Sequence, residues 1–451
     1  MIRIFSARWV LPVTAAPIEH GAIAVRDGRI LFVGTKTDCA ASFPETSIRD
    51  FGNAVILPGL INTHSHLELT GFRGRLETAN FFNWISTLVR LKRERLSEED
   101  VRLSSLMGCA EAVRNGITTV GDTADSKVVV EALSVSGLRG LVFQEFFGPD
   151  TSQAQQSIEG LQQKLQEHRN YLSASGAESR ITLGISPHAP YSVSAELYRK
   201  AAELALREKL DVAIHAAESR DESLLLQDGS GAFGEMLRAR GIKFTPPGVS
   251  TIRYFEDLGI LETRPLLIHC VSADESDLQL VASAKARIAH CPKSNAKFGH
   301  GIAPWAAMKT LGITIGVGTD SVASNNRMDL LEEARFGAYL HRAHQRDGEV
   351  LKAEELLRLV TIDNARALGI DQQTGSLEID KAADLAVISL DQIGPCHDVE
   401  SAVAFAAQGQ DVRLTMTAGE VLYDEGRYPK IDIKELSEAS EQLTLKLGEN
   451  P

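Results

Sequence analysis

Apolar and polar positions alternate over short runs at the amino end: Ile2 and Ile4, then Gly21 to Val25, then Ile30 to Val33, with Asp27-Gly28 between the last two runs. Period-two alternation broken by Asp-Gly predicts antiparallel strands joined by tight turns. The same texture returns at 384–388, 402–405 and 412–422. Residues 1–56 and 376–430 are therefore expected to form one small β-sandwich domain drawn from both termini. Between them the period changes. Apolar residues spaced i, i+3, i+4 predict helices over 98–115, 127–136, 157–172, 195–209, 275–284 and 330–344. Short β-branched or apolar runs lie between these helices, at 118–120, 140–143, 181–185, 212–215, 266–269, 287–290 and 314–317. The run Val55 to Ile61 adds an eighth strand. Eight strands alternating with helices over 57–375 predict a (β/α)8 barrel. A doubly wound open sheet competes, but polar residues close almost every strand, as a barrel with its site at one mouth requires. Residues 216–265 are expected to be a long β-to-α connection, and 431–451, rich in Glu, Lys and Ser, a solvated tail helix.

Composition narrows the function classes. The chain of 451 residues is 43% hydrophobic and 24% charged, the balance of a soluble globular protein. A formal net charge of −13 disfavours nucleic acid and anionic membrane as partners, leaving a small molecule. Cys39, Cys109, Cys270, Cys291 and Cys396 are dispersed, without a Cys-x-x-Cys pair, as expected of reduced thiols in a cytoplasm. No apolar run approaches the roughly 20 residues that span a bilayer, and the amino end lacks a signal-peptide core. A cytoplasmic enzyme, paired as a homodimer, is the expectation.

Candidate chemistry begins at Val55-Ile-Leu-Pro-Gly-Leu-Ile-Asn-Thr-His64-Ser-His66. Side chains at i and i+2 of a strand leave one face together, so His64 and His66 converge while Ser65 points elsewhere. Two such imidazoles also close many strands without binding anything. The other strand ends change the weighing: His188 past strand four, His215 on five, His269 on six, His290 on seven and Asp320 on eight. Lone histidines are mostly core or surface residues; this many at one mouth are not explained by packing. Three imidazoles and a carboxylate can hold one divalent metal with room for a water. Zinc heads the choice, and iron or manganese would suit the same donors.

With Pro58-Gly59-Leu-Ile-Asn-Thr-His64-Ser-His66, Ile214-His215-Ala-Ala-Glu218, Leu267-Ile-His269-Cys, His290-Cys-Pro-Lys-Ser294-Asn295 and Gly318-Thr-Asp320-Ser321 in order, the chain resembles the amidohydrolase superfamily, in its mononuclear deaminase branch. The resemblance implies His64, His66, His215 and Asp320 as metal ligands. It implies Glu218 as proton carrier, Asp320 as acceptor of a proton from water, and His269 as hydrogen-bond partner of that water. No lysine ends strand four, where two-metal relatives carry one, so a single metal is expected. Within the branch, His64-Ser-His-Leu-Glu68-Leu-Thr, Phe82-Asn-Trp84-Ile, Ser186-Pro-His188-Ala-Pro-Tyr191 and His215-Ala-Ala-Glu218-Ser219-Arg-Asp-Glu222 resemble aminodeoxyfutalosine deaminases of menaquinone biosynthesis. That likeness implies a 6-aminopurine nucleoside substrate, with His188 and Glu68 contacting purine or ribose. Asn295 and Ser321 are candidates for the purine edge, and Arg73 and Arg220 for a substrate carboxylate. Gly318-Thr-Asp-Ser-Val-Ala-Ser-Asn325-Asn326 also resembles S-adenosylhomocysteine and methylthioadenosine deaminases. A triazine-type chlorohydrolase would use the same site with another leaving group. An inert scaffold on this barrel would be marked by lost ligands, and all four positions are filled.

Overall fold

The computed structural model describes residues 1–77 and 80–448. Among them are sixteen strands in two groups. The first comprises β1 (Arg3–Val10), β2 (Ile18–Arg26), β3 (Arg29–Thr35), β4 (Ile48–Asp50) and β5 (Ala54–Pro58). The barrel strands are β6 (Leu60–Ser65), β7 (Ile117–Ala124), β8 (Arg139–Phe146), β9 (Ile181–Pro187), β10 (Ala213–Ala216), β11 (Leu266–His269), β12 (Arg287–His290) and β13 (Thr314–Val317). The chain returns to the first group with β14 (Leu385–Ser389), β15 (Val412–Thr417) and β16 (Glu420–Asp424).

Strands from both ends make one sheet, ordered β16-β15-β14-β5-β1-β2-β3, with β4 beside β1. Its two extremes curl towards each other. The β2–β3 turn meets the β15–β16 turn, where a Cβ on Gly28 would lie 2.7 Å from the Ala418 carbonyl oxygen. Phe5, Ile23, Ile30, Ile56, Val387, Leu414 and Met416 share the core enclosed by this curl. Their neighbours Ile4, Ala22 and Ala24 enter a second core on the opposite face with Cys39, so alternate residues of β1 and β2 divide between two buried faces.

The barrel strands form two parallel sheets, β6-β7-β8-β9 and β10-β11-β12-β13. They close on each other at both seams. Ile185 N–H donates to the Asp211 carbonyl at 2.9 Å, and His215 N–H to the His188 carbonyl at 3.1 Å. At the other seam Asp320 N–H donates to the His64 carbonyl at 3.0 Å. Asn364 staples that seam from below: its Nδ2 donates to the carbonyls of Ile61 and Val317, while its Oδ1 accepts from Val317 N–H at 2.7 Å. Gly318 is required here, because a Cβ would stand 2.7 Å from His64 N.

Several expectations change: residues 402–405, expected as strand, lie in the helical turn Ala402–Ala406, and the run Val55 to Ile61 divides between β5 of the terminal sheet and β6 of the barrel. Residues 216–265 are not an open loop but carry three helices, Arg220–Asp228, Gly231–Ala239 and Thr251–Asp257. The tail helix forms as expected, Ile433–Gly448, but it is docked and not solvated, with Leu436, Leu443 and Leu447 buried. Its apolar residues recur at helical spacing, which buries one face and leaves the charges outside. Lys446 bonds Asp100 at 2.6 Å, and the Leu447 carbonyl accepts from Arg75 Nε at 2.6 Å. Residues 449–451 of that predicted tail lie outside the described residues. No described helix is long and apolar enough to cross a membrane.

Candidate metal centre at the barrel mouth

Five groups converge at the carboxyl ends of the barrel strands. The ligand atoms of His64, His66 and Asp320 lie within 4.8 Å of one another, as do those of His64, His215 and His269. Asp320 Oδ1 is 3.4 Å from His64 Nε2 and 3.6 Å from His66 Nε2. Ligands placed tetrahedrally about 2.0–2.1 Å from zinc are separated by about 3.3 Å, so this spacing matches a shared cation. His64 Nε2 is buried without a hydrogen-bond partner. An orphaned imidazole nitrogen facing a carboxylate fits the same reading.

The local chain explains how these side chains arrive. Ser65 turns away from the histidines, and its hydroxyl donates to Asp122 at the end of β7 at 2.8 Å. The same carboxylate accepts from Leu67 N–H at 2.8 Å, pinning the turn after His66. The His66 Nδ1 lies 3.1 Å from the Thr123 hydroxyl. His215 Nδ1–H donates to the His188 carbonyl at 3.2 Å, leaving Nε2 as the free lone pair. Asp320 Oδ2 accepts from the Ser294 and Ser324 hydroxyls at 2.6 and 2.9 Å, and Oδ1 from Ser321 N–H at 2.7 Å. Four non-glycine residues at these strand ends hold positive φ: Ala217 at 50°, His269 at 76°, Cys270 at 49° and Asp320 at 56°. Each costs about 1–3 kcal/mol unless its surroundings hold it, a cost concentrated at functional sites.

Burial, with the neighbouring imidazoles, pulls His66 and His269 down to about 3 and His215 well below the ordinary range. Burial pulls Asp320 upward, but the surrounding His64, His269 and His66 hold its carboxyl well below the usual range. Neutral imidazoles and an ionised carboxylate are the states a cation requires. Glu218 behaves oppositely. Burial, and then the charges of Asp320 and Glu222, push its carboxyl well above the usual range. Its Oε1 lies 3.4 Å from His269 Nε2. Glu222 shapes this turn: Oε1 accepts from Ala217 N–H at 2.8 Å and from the Thr251 hydroxyl, and Oε2 from Glu218 N–H at 3.4 Å.

The remaining sequence candidates divide. His188, at the cluster's edge, has its ring 4.9 Å from that of His215, and its Nδ1 bonds the Ser192 hydroxyl at 2.7 Å. Glu68 is buried, but Lys92 Nζ sits 2.6 Å from Oε1 and bridges to Asp125 at 2.6 Å. Burial lifts the Glu68 carboxyl to about 7, against the pull of Lys92, and Oε2 has no partner. Asn295 turns its Oδ1 to His269 Nδ1 at 2.9 Å, so it orients an imidazole. Ser321 spends its hydroxyl on Ser324 and caps the helix Val322–Asn325. Arg73 is half exposed and its guanidinium is taken by Glu111, so the structure does not bring it to the cluster. Arg220 is exposed at the first position of its helix. His290 leaves the mouth altogether and bonds His341 at 3.0 Å beside Trp305.

Three partners escaped the sequence reading. Lys92 lies on the helix Phe81–Arg95. Glu145 ends β8, and its buried, unpartnered Oε1 lies 4.0 Å from His215 Nδ1. His300 follows the helix Pro292–Lys297 and places Nε2 3.6 Å from Glu218 Oε1. A carboxylate at a predicted strand end was the available signal for Glu145; Lys92 and His300 carried none.

Comparison with known proteins agrees with this geometry. Over 430 residues the chain is 30% identical to a 5-methylthioadenosine/S-adenosylhomocysteine deaminase of Moorella thermoacetica, covering 95% of each chain. It is 30% identical over 445 residues to a 5'-deoxyadenosine deaminase of Methanosarcina barkeri, covering 96% of this chain and 95% of that one. Among solved structures, an adenosine deaminase from Xanthomonas campestris with bound zinc superposes with a TM-score of 0.86 at 24% identity, covering 99% of this chain and 98% of the other. At that identity the likeness speaks for the fold. The amidohydrolase family model matches residues 55–422, from the last strand before the barrel to β16, and the chain belongs to the amidohydrolase family.

Proposed function

We propose that this enzyme is a metal-dependent deaminase that hydrolyses the 6-amino group of an adenine nucleoside. The observation that carries the reading is the pairing of a cation-ready donor set with Glu218, a buried carboxyl pushed towards its protonated form 3.4 Å from His269. His64, His66, His215 and Asp320 would hold one divalent cation, zinc foremost. Such a cation supplies Lewis acidity and makes water nucleophilic at neutral pH. Asp320, ionised and braced by three hydrogen bonds, is the acceptor for the water's proton. Glu218 carries a proton to the ring nitrogen next to C6 and then assists ammonia departure. Its raised pKa suits an acid that must donate near neutral pH. His269, locked by Asn295, faces Glu218 and would hydrogen-bond the attacking water.

The names of the relatives move the substrate towards 5'-thio- and 5'-deoxyadenosines and away from the sequence expectation of aminodeoxyfutalosine. Arg73 no longer serves a carboxylate-bearing substrate, because Glu111 occupies it. Arg220, exposed two residues past Glu218 and without an ion pair among the described residues, keeps a distal carboxylate in play. That favours S-adenosylhomocysteine within the first class and retains aminodeoxyfutalosine as the second reading. The test is ammonia release, with the accompanying ultraviolet change, on methylthioadenosine, 5'-deoxyadenosine, S-adenosylhomocysteine, aminodeoxyfutalosine, adenosine and guanine. Turnover of the adenine nucleosides supports the reading; turnover of guanine alone, or of none, refutes it.

A further inference from the structure

His300 stands outside the strand ends, yet its buried Nε2 has no hydrogen-bond partner and lies 3.6 Å from Glu218 Oε1. His269 Nε2 approaches the same oxygen at 3.4 Å. Asn295 holds both residues: its Oδ1 accepts from His269 Nδ1 at 2.9 Å, orienting that ring, and its backbone carbonyl accepts from the His300 backbone N–H at 3.0 Å, fixing the turn that carries His300. The His300 ring is further held by Phe81, edge-on at 4.7 Å and 86°, and by Phe298 at 5.5 Å. With Nδ1–H engaged, neutral His269 offers Nε2 as an acceptor, whereas His300 Nε2 is free to donate. Burial keeps His300 neutral by lowering it to about 4. An oxygen flanked by one acceptor and one donor is held in place whether or not it bears the proton.

We propose that His300 is a positioning residue for Glu218, fixing Oε1 as the carboxyl gives up and regains its proton. The inference rests on the deaminase reading. In that reaction the oxygen of water bonds to C6, and one proton reaches the adjacent ring nitrogen by way of Glu218. A second proton reaches the amino nitrogen, and the C6–N bond breaks with its electron pair leaving on ammonia. His300 donates a hydrogen bond to Oε1 whenever Glu218 is deprotonated and passes no proton to the substrate. Contacts longer than a normal hydrogen bond before substrate binds commonly tighten in the reacting complex.

His300→Phe keeps the aromatic packing and removes the donor. The expected result is a kcat about tenfold lower or more on the preferred nucleoside, with KM within about twofold and metal content unchanged. On a 6-chloropurine nucleoside the loss shrinks severalfold, because chloride leaves without a proton. His300→Gln, which returns an N–H donor, recovers part of kcat. Unchanged kcat, a rise in KM alone, equal losses on both substrates, or loss of metal would each overturn the proposal. If His300→Phe does not fold, His300→Gln against His300→Met is judged by the same criteria. Failure of the underlying reaction is distinguishable, since the wild-type enzyme would then be silent on every adenine nucleoside.

Discussion

Replacing Glu218 by glutamine separates the acid from the metal centre. The side chain is isosteric and keeps an oxygen that can accept from His300 Nε2, which lies 3.6 Å from Glu218 Oε1. The hydrogen bonds holding Asp320 come from Ser294, Ser321 and Ser324, and His215 is held by the His188 carbonyl, so none passes through Glu218. Metal content is therefore expected to stay at the wild-type level. A positioned acid–base group contributes about 10²–10⁴-fold. Glu218 would serve both ring protonation and amine departure, which places the loss at the upper end, about 10⁴-fold in kcat. At about 1.4 kcal/mol per tenfold, that is about 5 kcal/mol of barrier. The variant also removes a buried carboxyl whose ionisation is opposed by burial and by Asp320 and Glu222, so its melting temperature should equal or exceed that of wild type. Ammonia release and metal analysis on the same preparation give the answer. A fully metallated Glu218→Gln enzyme within about threefold of wild-type kcat would refute the assignment.

Other parts of the molecule are open to equally direct tests. His215→Ala should lose metal in elemental analysis, and chelation of the wild-type enzyme should lower its melting temperature; metal present at about 1,000 times its Kd adds about 4 kcal/mol to the folded state. His168, whose Nε2 bonds Gln144 Oε1 at 2.7 Å, is lowered by burial to about 4 from an ordinary 6.5. Its unfolded form takes up a proton first, so its contribution is present above about pH 6.5 and lost as pH falls towards 4, by a few kcal/mol. His168→Gln should flatten that part of a urea-denaturation pH profile. Leu443→Ala, which empties a buried position against Gly71, should cost about 2–5 kcal/mol in chemical denaturation; no cost would return the carboxyl-terminal helix to a solvated tail. Arg220→Ala should raise KM for S-adenosylhomocysteine by about tenfold and leave methylthioadenosine unchanged; equal KM changes on both would remove the carboxylate contact.

The barrel was legible because each strand advertises itself locally. Leu266 to His269 is an apolar run that ends in an imidazole, and Leu60 and Ile61 open the barrel strand that reaches His64 three residues on; burial on both faces of a barrel strand demands that texture. The docking of the carboxyl-terminal helix was missed for the opposite reason. Leu436, Leu443 and Leu447 are only a thin apolar stripe among charges, and what buries them comes from Gly71 and the helix Glu98–Arg114, hundreds of residues away. Residues 216–265 went wrong through their glycines and prolines, which punctuate three short helices instead of dissolving them.

The same distinction runs through the site. His64, His66, His215 and Asp320 each sit where a strand ends, so chain order alone predicts their meeting. Arg73 lies near them in sequence and still fails to join, because Glu111 offers a nearer charge. Lys92, Glu145 and His300 do the reverse, reaching Glu68, His215 and Glu218 from separate elements. Lys92 and His300 are recognisable only through what they neutralise or face: Lys92 offsets a carboxylate too costly to bury alone, and His300 faces the proposed proton carrier. Ligand identity is thus written along the strands, whereas the electrostatic state of each ligand's neighbour is written between them. Lys92→Met should accordingly leave metal content unchanged in elemental analysis, and a raised KM for the nucleoside would mark Glu68, its partner at 2.6 Å, as a substrate contact.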